Sequence, residues 1–175
     1  DDEAKSIEPG SEGLIFLPHF SGRVCPNNPV VRGGFVGLTW AHKRAHMFRA
    51  IMESIAYEYN YYFKIIKTLM DDVQFSKVYA IGGGAKSKVF NSIKADVLGI
   101  DYTTPSIKDT APLGSAIVAG YGVGVFDDMK KTVERLITFS DEIKFSPENH
   151  KIYKKYATAY ETALNVLIPV FEKLI

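Results

Sequence analysis

Three consecutive glycines, Gly82-Gly83-Gly84, stand between an apolar run at 73–81 and a helix-like segment that begins near Ser87. Glycine lacks a Cβ, so it turns the chain sharply, allows close approach of backbone to another group, and favours neither strand nor helix. A strand must therefore give way to a helix within a few residues. That geometry turns backbone N–H groups at the helix start toward whatever lies beyond the strand end, a common setting for an anion. Lys86 and Lys88 add positive charge at the same place.

Two well-known loops do not fit. The phosphate loop of P-loop NTPases requires a second Gly before its Lys-Ser/Thr, and Ala85 stands there. The dinucleotide pattern is met at Gly82 and Gly84 but has Ser87 in place of its last Gly, and at least two strands precede it. From the loop alone two readings stay open: a nucleotide-binding turn, or a tight strand-to-helix turn in which small residues permit close packing.

The rest of the chain alternates in the same way. Residues 14–20 and 34–38 have strand character, separated by a Gly-, Asn- and Pro-rich loop at 21–29. Phe48, Ile51, Ile55, Tyr59, Tyr62, Ile66 and Leu69 step by three or four, which predicts a long helix buried along that stripe. Helix is expected at 87–98, strand at 100–104, a tightly packed internal helix at 113–123, helix at 128–137 and a short strand at 142–145. A last long helix spans 147–174, with Ser146 as N-cap and Pro147 at its first position. This order argues for an α/β layer structure.

At 175 residues and 46% hydrophobic content, the chain suits one domain with a real core. A formal net charge of +1 gives no electrostatic footprint for nucleic acid. No apolar run reaches the roughly 18 residues of a membrane span, and the acidic first residues do not read as a secretory signal. Cys25 is the single cysteine, which excludes an intramolecular disulfide and points to a reducing cytoplasm.

A second constellation carries a resemblance. Gly33-x-Phe35-x-Gly37-Leu38, seven residues, then His46-Met47-x-x-Ala50-Ile51-Met52-Glu53 is similar at every specified position to the second signature of the FGGY carbohydrate kinases. G-L-I-F-L-P-H-F-S-G, I-G-G-G-A-K-S and D-T-A-P-L-G-S-A-I-V-A-G, the last starting at Asp109, resemble further motifs of that family in the same order. The similarity runs from about Gly13 to the last helix.

The resemblance implies an actin-like ATPase (ribonuclease H-like) domain, with a mixed central sheet flanked by helices, as a single domain over 1–175. It implies the C-terminal, nucleotide-binding half of a two-domain sugar kinase, a phosphotransferase with an alcohol acceptor. The N-terminal domain, with the catalytic Asp, most sugar contacts and the main Mg2+ site, is expected to be absent, so no catalytic or metal residue is assigned here. ATP is the expected cofactor, held at Gly82, Gly83, Gly84, Ala85 and Ser87. Xylulose is the favoured acceptor, with glycerol, gluconate or another ketose as alternatives. The partners implied are the sugar, ATP and the protein's own N-terminal domain, with a homodimer left open. The fragment alone is expected to be inactive. The competing reading is a non-catalytic actin-like domain that binds nucleotide or a partner.

Several residues depart from the family pattern or invite other readings. Arg23 and Val24 replace a Glu-Arg pair, and Arg23 is expected to pair with a carboxylate rather than reach across a cleft. Ser92 stands where Gln is common. His42 and His46 have metal-ligand spacing but lack the H-E-x-x-H pattern, so solvated or capping roles are expected. Asp96 and Asp109 lack a partner carboxylate for acid–base work. Of Tyr57, Tyr59, Tyr61 and Tyr62, only Tyr59 and Tyr62 share the apolar stripe.

Overall fold

The computed structural model describes residues 1–70, 72–107 and 109–175, with residues 140 and 141 through their backbone alone. Its elements in order are α1 (Asp2–Lys5), β1 (Ile15–Leu17), β2 (Gly34–Val36), α2 (Arg44–Leu69), β3 (Val78–Tyr79), α3 (Lys88–Leu98), β4 (Tyr102–Pro105), α4 (Thr110–Gly122), α5 (Met129–Leu136), β5 (Phe139–Ile143) and α6 (Pro147–Glu172). Tight 3-10 turns form at Ser11–Gly13 and Gly83–Lys86.

Among the described residues the strands form two separate sheets. β1 and β2 pair antiparallel as a two-stranded sheet, with Phe16 opposite Phe35. A separate three-stranded sheet runs β3-β4-β5, parallel between β3 and β4 and antiparallel between β4 and β5. The expected mixed sheet is thus present as two small sheets. Of the run 73–81, only Val78 and Tyr79 are regular strand.

The main core lies where α2, α3 and α6 close over β1, around Leu17, Ala56, Tyr57, Ile93, Tyr160 and Leu164. Helix ends are set locally. Ser87 Oγ accepts Phe90 N–H at 3.1 Å, and Ser146 Oγ accepts Asn149 N–H at 3.2 Å, each supplying one of the donors a helix start leaves unpaired. Asp96 accepts Ser146 N–H at 2.7 Å and Asn149 Nδ2 at 2.9 Å, so its carboxylate ties α3 to the start of α6. Both histidines act at the entry to α2: His46 Nδ1 accepts Lys43 N–H at 3.0 Å and His42 Nδ1 accepts Thr39 N–H at 2.9 Å.

Two expectations are overturned. The stripe assigned to the buried face of α2 faces outward at Phe48, Tyr59 and Leu69, which are 41%, 39% and 77% exposed. The inward face carries Arg49, Glu53, Tyr57 and Glu58 instead. These charges are tolerated because each is paired: Glu53 alone accepts from Gly10 N–H, Ser11 Oγ, Arg49 Nε and Tyr153 OH, all at 2.8–2.9 Å. Apolar periodicity reads a buried ion pair as a wet face. The second correction is α4, expected to be an internal helix, in which only Ile117 is buried. Its Ala, Gly and Val residues report an apolar helix, not what it packs against.

Candidate nucleotide site

β3 runs into the glycine loop, the loop into α3, and α3 returns to β4, which lies parallel to β3. In such a unit the space beyond the C-terminal ends of the strands is open to a ligand, with helix N-termini pointing at it. A cavity of about 360 Å³ lies there. Gly82, Ala85 and Lys86 line it from the loop, Lys88 from the start of α3, and Thr104, Ser106 and Thr110 from the end of β4 and the start of α4. No acidic side chain lines it among the described residues. The volume falls in the range of small-molecule and cofactor sites.

The glycines distinguish a packing turn from a ligand wall. Gly82 has φ +80° and ψ −170°, a conformation essentially restricted to glycine, so it is required by the turn itself. Gly83 differs. A Cβ built on it meets nothing within 4 Å, and one on Gly84 meets only the Phe90 ring, at 3.4 Å. Internal packing therefore does not call for glycine at 83 or 84.

Of the five residues named for nucleotide binding, Gly82 and Ala85 line the cavity, while Gly83 and Gly84 form the turn between them. Ser87 uses its Oγ as the acceptor that caps α3, leaving its O–H proton as the group it could offer. Lys86 and Lys88, which add positive charge at the loop, both reach the cavity wall. Asn91 was missed. It is 1% exposed and lines the cavity, and its Nδ2 donates to Ala85 O at 2.7 Å, fastening the loop to the first turns of α3. No sequence pattern singled it out, since Lys88 and Lys94 share its face of α3. Replacing Asn91 by Ala should cost about 1 kcal/mol of stability in urea unfolding and weaken ADP binding several-fold, through loss of that bond.

The loop at 21–29 is held from α2. Arg23 grips Glu58 through Nε at 3.3 Å and Nη2 at 3.0 Å, and its guanidinium lies 4.1 Å from the centre of the Tyr61 ring. Tyr160 OH donates to Glu58 at 2.6 Å and His19 Nε2 lies 3.4 Å away. Burial opposes the Glu58 charge, but the hydrogen bonds from His19 and Tyr160 and the charge of Arg23 outweigh it, holding its carboxyl below the usual range. Arg23 is thus a tether to a carboxylate.

The family model for the C-terminal domain of the FGGY family of carbohydrate kinases matches residues 1–123. The chain belongs to the FGGY carbohydrate kinases. Over 159 residues it is 31% identical to the xylulose kinase of Staphylococcus epidermidis, covering 90% of this chain and 32% of that protein. Over 172 residues it is 33% identical to the gluconokinase of Bacillus subtilis, covering 98% of this chain and 31% of that protein. The FGGY chain thus spans about a third of the length of the curated relatives it matches. In structure it is similar to a ligand-bound xylulose kinase from Lactobacillus acidophilus (TM-score 0.83, 24% identity, 99% of this chain and 35% of that one). It is also similar to Plasmodium falciparum glycerol kinase with ADP (TM-score 0.76, 23% identity, 93% and 33%). At these identities the two structures speak for the fold alone. In this FGGY domain no helix among the described residues is long and apolar enough to cross a membrane.

Proposed function

We propose that this chain is the nucleotide-holding domain of an ATP-dependent kinase that phosphorylates a hydroxyl of a sugar or polyol, with a xylulose-type ketose as its first acceptor. The observation that carries this reading is the cavity beyond the ends of β3 and β4, lined by Gly82, Ala85 and two lysines and by no acidic side chain among the described residues, with open space beside Gly83 in the turn that borders it. Phosphoryl transfer depends mainly on positioning and on neutralising phosphate charge. Backbone N–H groups of the loop and of the α3 N-terminus, with Lys86 and Lys88, would bind and orient the phosphates, and Ile81, Pro105 and Ile107 supply apolar surface for the base. The acceptor and the Asp that takes its proton belong to a second domain in this reading. Closure of the two would exclude water. The chain by itself should then bind nucleotide weakly and phosphorylate nothing. The relatives include both xylulose kinases and gluconokinases, which keeps gluconate as the alternative acceptor.

Mg2+ would arrive with the triphosphate and soften its charge. The cavity wall has no carboxylate to ligate it, and no group of three or more His, Cys, Asp or Glu among the described residues could hold a metal. In this reading the chain's cavity residues meet the phosphate oxygens and the base, and the metal ligands belong to the other domain.

The decisive substitution is Gly83→Val. Its side chain enters space that is empty in the folded protein, so thermal stability should stay within about 0.5 kcal/mol of the parent. ADP affinity by calorimetry should fall at least about tenfold. Unchanged affinity would remove Gly83 from the nucleotide site.

A further inference from the structure

On the other side of β3 lies a second cavity, of about 280 Å³, between that strand, α2 and α3. Its wall is largely aromatic and aliphatic, with Tyr59 and Phe63 from α2, Tyr79 and Ile81 from β3 and its end, and Leu98 from α3. The one charged group on it among the described residues is Lys94, a turn before Leu98 on α3. Lys94 is 5% exposed. No hydrogen bond or carboxylate partner is found for it among the described residues; its Nζ rests over two rings, 4.2 Å from the centre of Phe90 and 5.4 Å from that of Tyr102. A buried ammonium normally comes with an anion, because rings alone replace little of its lost hydration.

We infer that this cavity is a binding site for a small monocarboxylic acid with a flat apolar body, the carboxylate meeting Lys94 and the body lying among Tyr59, Phe63 and Tyr102. One cation calls for one negative charge. β3 is an edge strand whose Val78 and Ala80 N–H groups bond Asp101 and Thr103 across to the β4 side, so the N–H of Tyr79 is left on the open edge. A carboxylate carries a single charge that one ammonium can meet, whereas a phosphate would leave further charged oxygens against rings. Burial also pulls the Lys94 ammonium down to about 8, a state that a bound carboxylate would reverse. The remaining titratable groups on the wall are Tyr59, Tyr79 and Tyr102; burial and then Tyr59 push Tyr102 well above its ordinary value, so it stays neutral in the relevant range. The site shares Ala80 and Ile81 with the nucleotide cavity but lies across the strand from it, and it does not depend on the kinase reading.

The test uses the 175-residue chain with benzoate as probe and benzyl alcohol as its uncharged counterpart. Amide spectra should show saturable benzoate shifts at Tyr79, Ala80, Lys94 and Tyr102 that persist with ADP present. Affinity should fall by about tenfold per pH unit above about 8, as the ammonium is lost. Lys94→Met should weaken benzoate by about tenfold or more while Lys94→Arg retains it, and benzyl alcohol should bind far more weakly to the parent. The site is refuted if benzoate leaves those residues unmoved, if benzyl alcohol binds as well, if pH has no effect, or if ADP displaces benzoate. Equal benzoate affinity in Lys94→Met would also refute it. The pH series and the alcohol comparison need no variant.

Discussion

Replacing Glu53 by Ala should cost about 3–5 kcal/mol of folding stability, measured by urea unfolding of the 175-residue chain, because it leaves a buried charge without its partner. Glu53 is 1% exposed and ends the signature that first pointed to the family, yet it lies in the core rather than at the nucleotide cavity. It gathers four donors. Loss of its oxygens would strand the Arg49 guanidinium, whose charge burial opposes and whose neighbours Tyr153 and Glu53 hold it above its usual value. It would also release the turn at 10–12. Gly10 N–H and Ser11 Oγ bond the carboxylate, and Ser11 and Glu12 have φ of 48° and 54°, a conformation that ordinary residues keep only when their surroundings enforce it. Gly10 itself has φ +90°, with the Tyr156 ring where a side chain would stand. This turn delivers β1 to the core. Glu53→Gln should cost less, since the shape survives, but more than Glu161→Ala on the surface, whose pair with Lys64 is worth about 1 kcal/mol or less. A Glu53→Ala protein as stable as the parent would show that the signature acid has another role.

That residue marks the limit of what could be read before the structure. The glycine loop, the cap at Ser87, the Ser146-Pro147 start of α6 and the βαβ order were legible because each is a local rule of a few residues. The pairing of Arg23 was legible in kind but not in partner, since Glu58 lies 35 residues away. The face of α2 was misread because the Arg49–Glu53 pair is buried only once α6 lays Tyr153 against it, and Glu58 finds its counter-charge in Arg23 of a distant loop and a further donor in Tyr160. Asn91 and Lys94 escaped for a related reason. A polar residue on an inward helix face has no sequence pattern of its own, and its meaning comes from Ala85 in one case and from an aromatic wall in the other.

Lys94 carries the second large effect, with the opposite sign. Lys94→Met should make the chain more stable at pH 7, by about 1–3 kcal/mol in urea unfolding. An ordinary lysine titrates near 10.4 and burial lowers Lys94 to about 8, a difference equivalent to roughly 3 kcal/mol of opposition to the buried charge. Part is offset, because Met loses the ring contacts of the ammonium, which are worth about 0.5–2 kcal/mol. The pH dependence fixes the interpretation. Between about pH 8 and 10.4 the unfolded lysine holds its proton while the folded one has released it, so the unfolded state binds more protons and the parent gains stability as pH rises through that window. Below 8 both states are protonated and the full penalty applies; above 10.4 neither is, and it vanishes. The advantage of Lys94→Met should therefore be constant up to about pH 8 and shrink to little by pH 10.5. Taking the difference between parent and variant removes every other group that titrates there. A variant less stable than the parent at pH 7, or an advantage that does not change with pH, would mean that the ammonium already has an anion within the fold, and the cavity beside β3 would lose its reason to bind one.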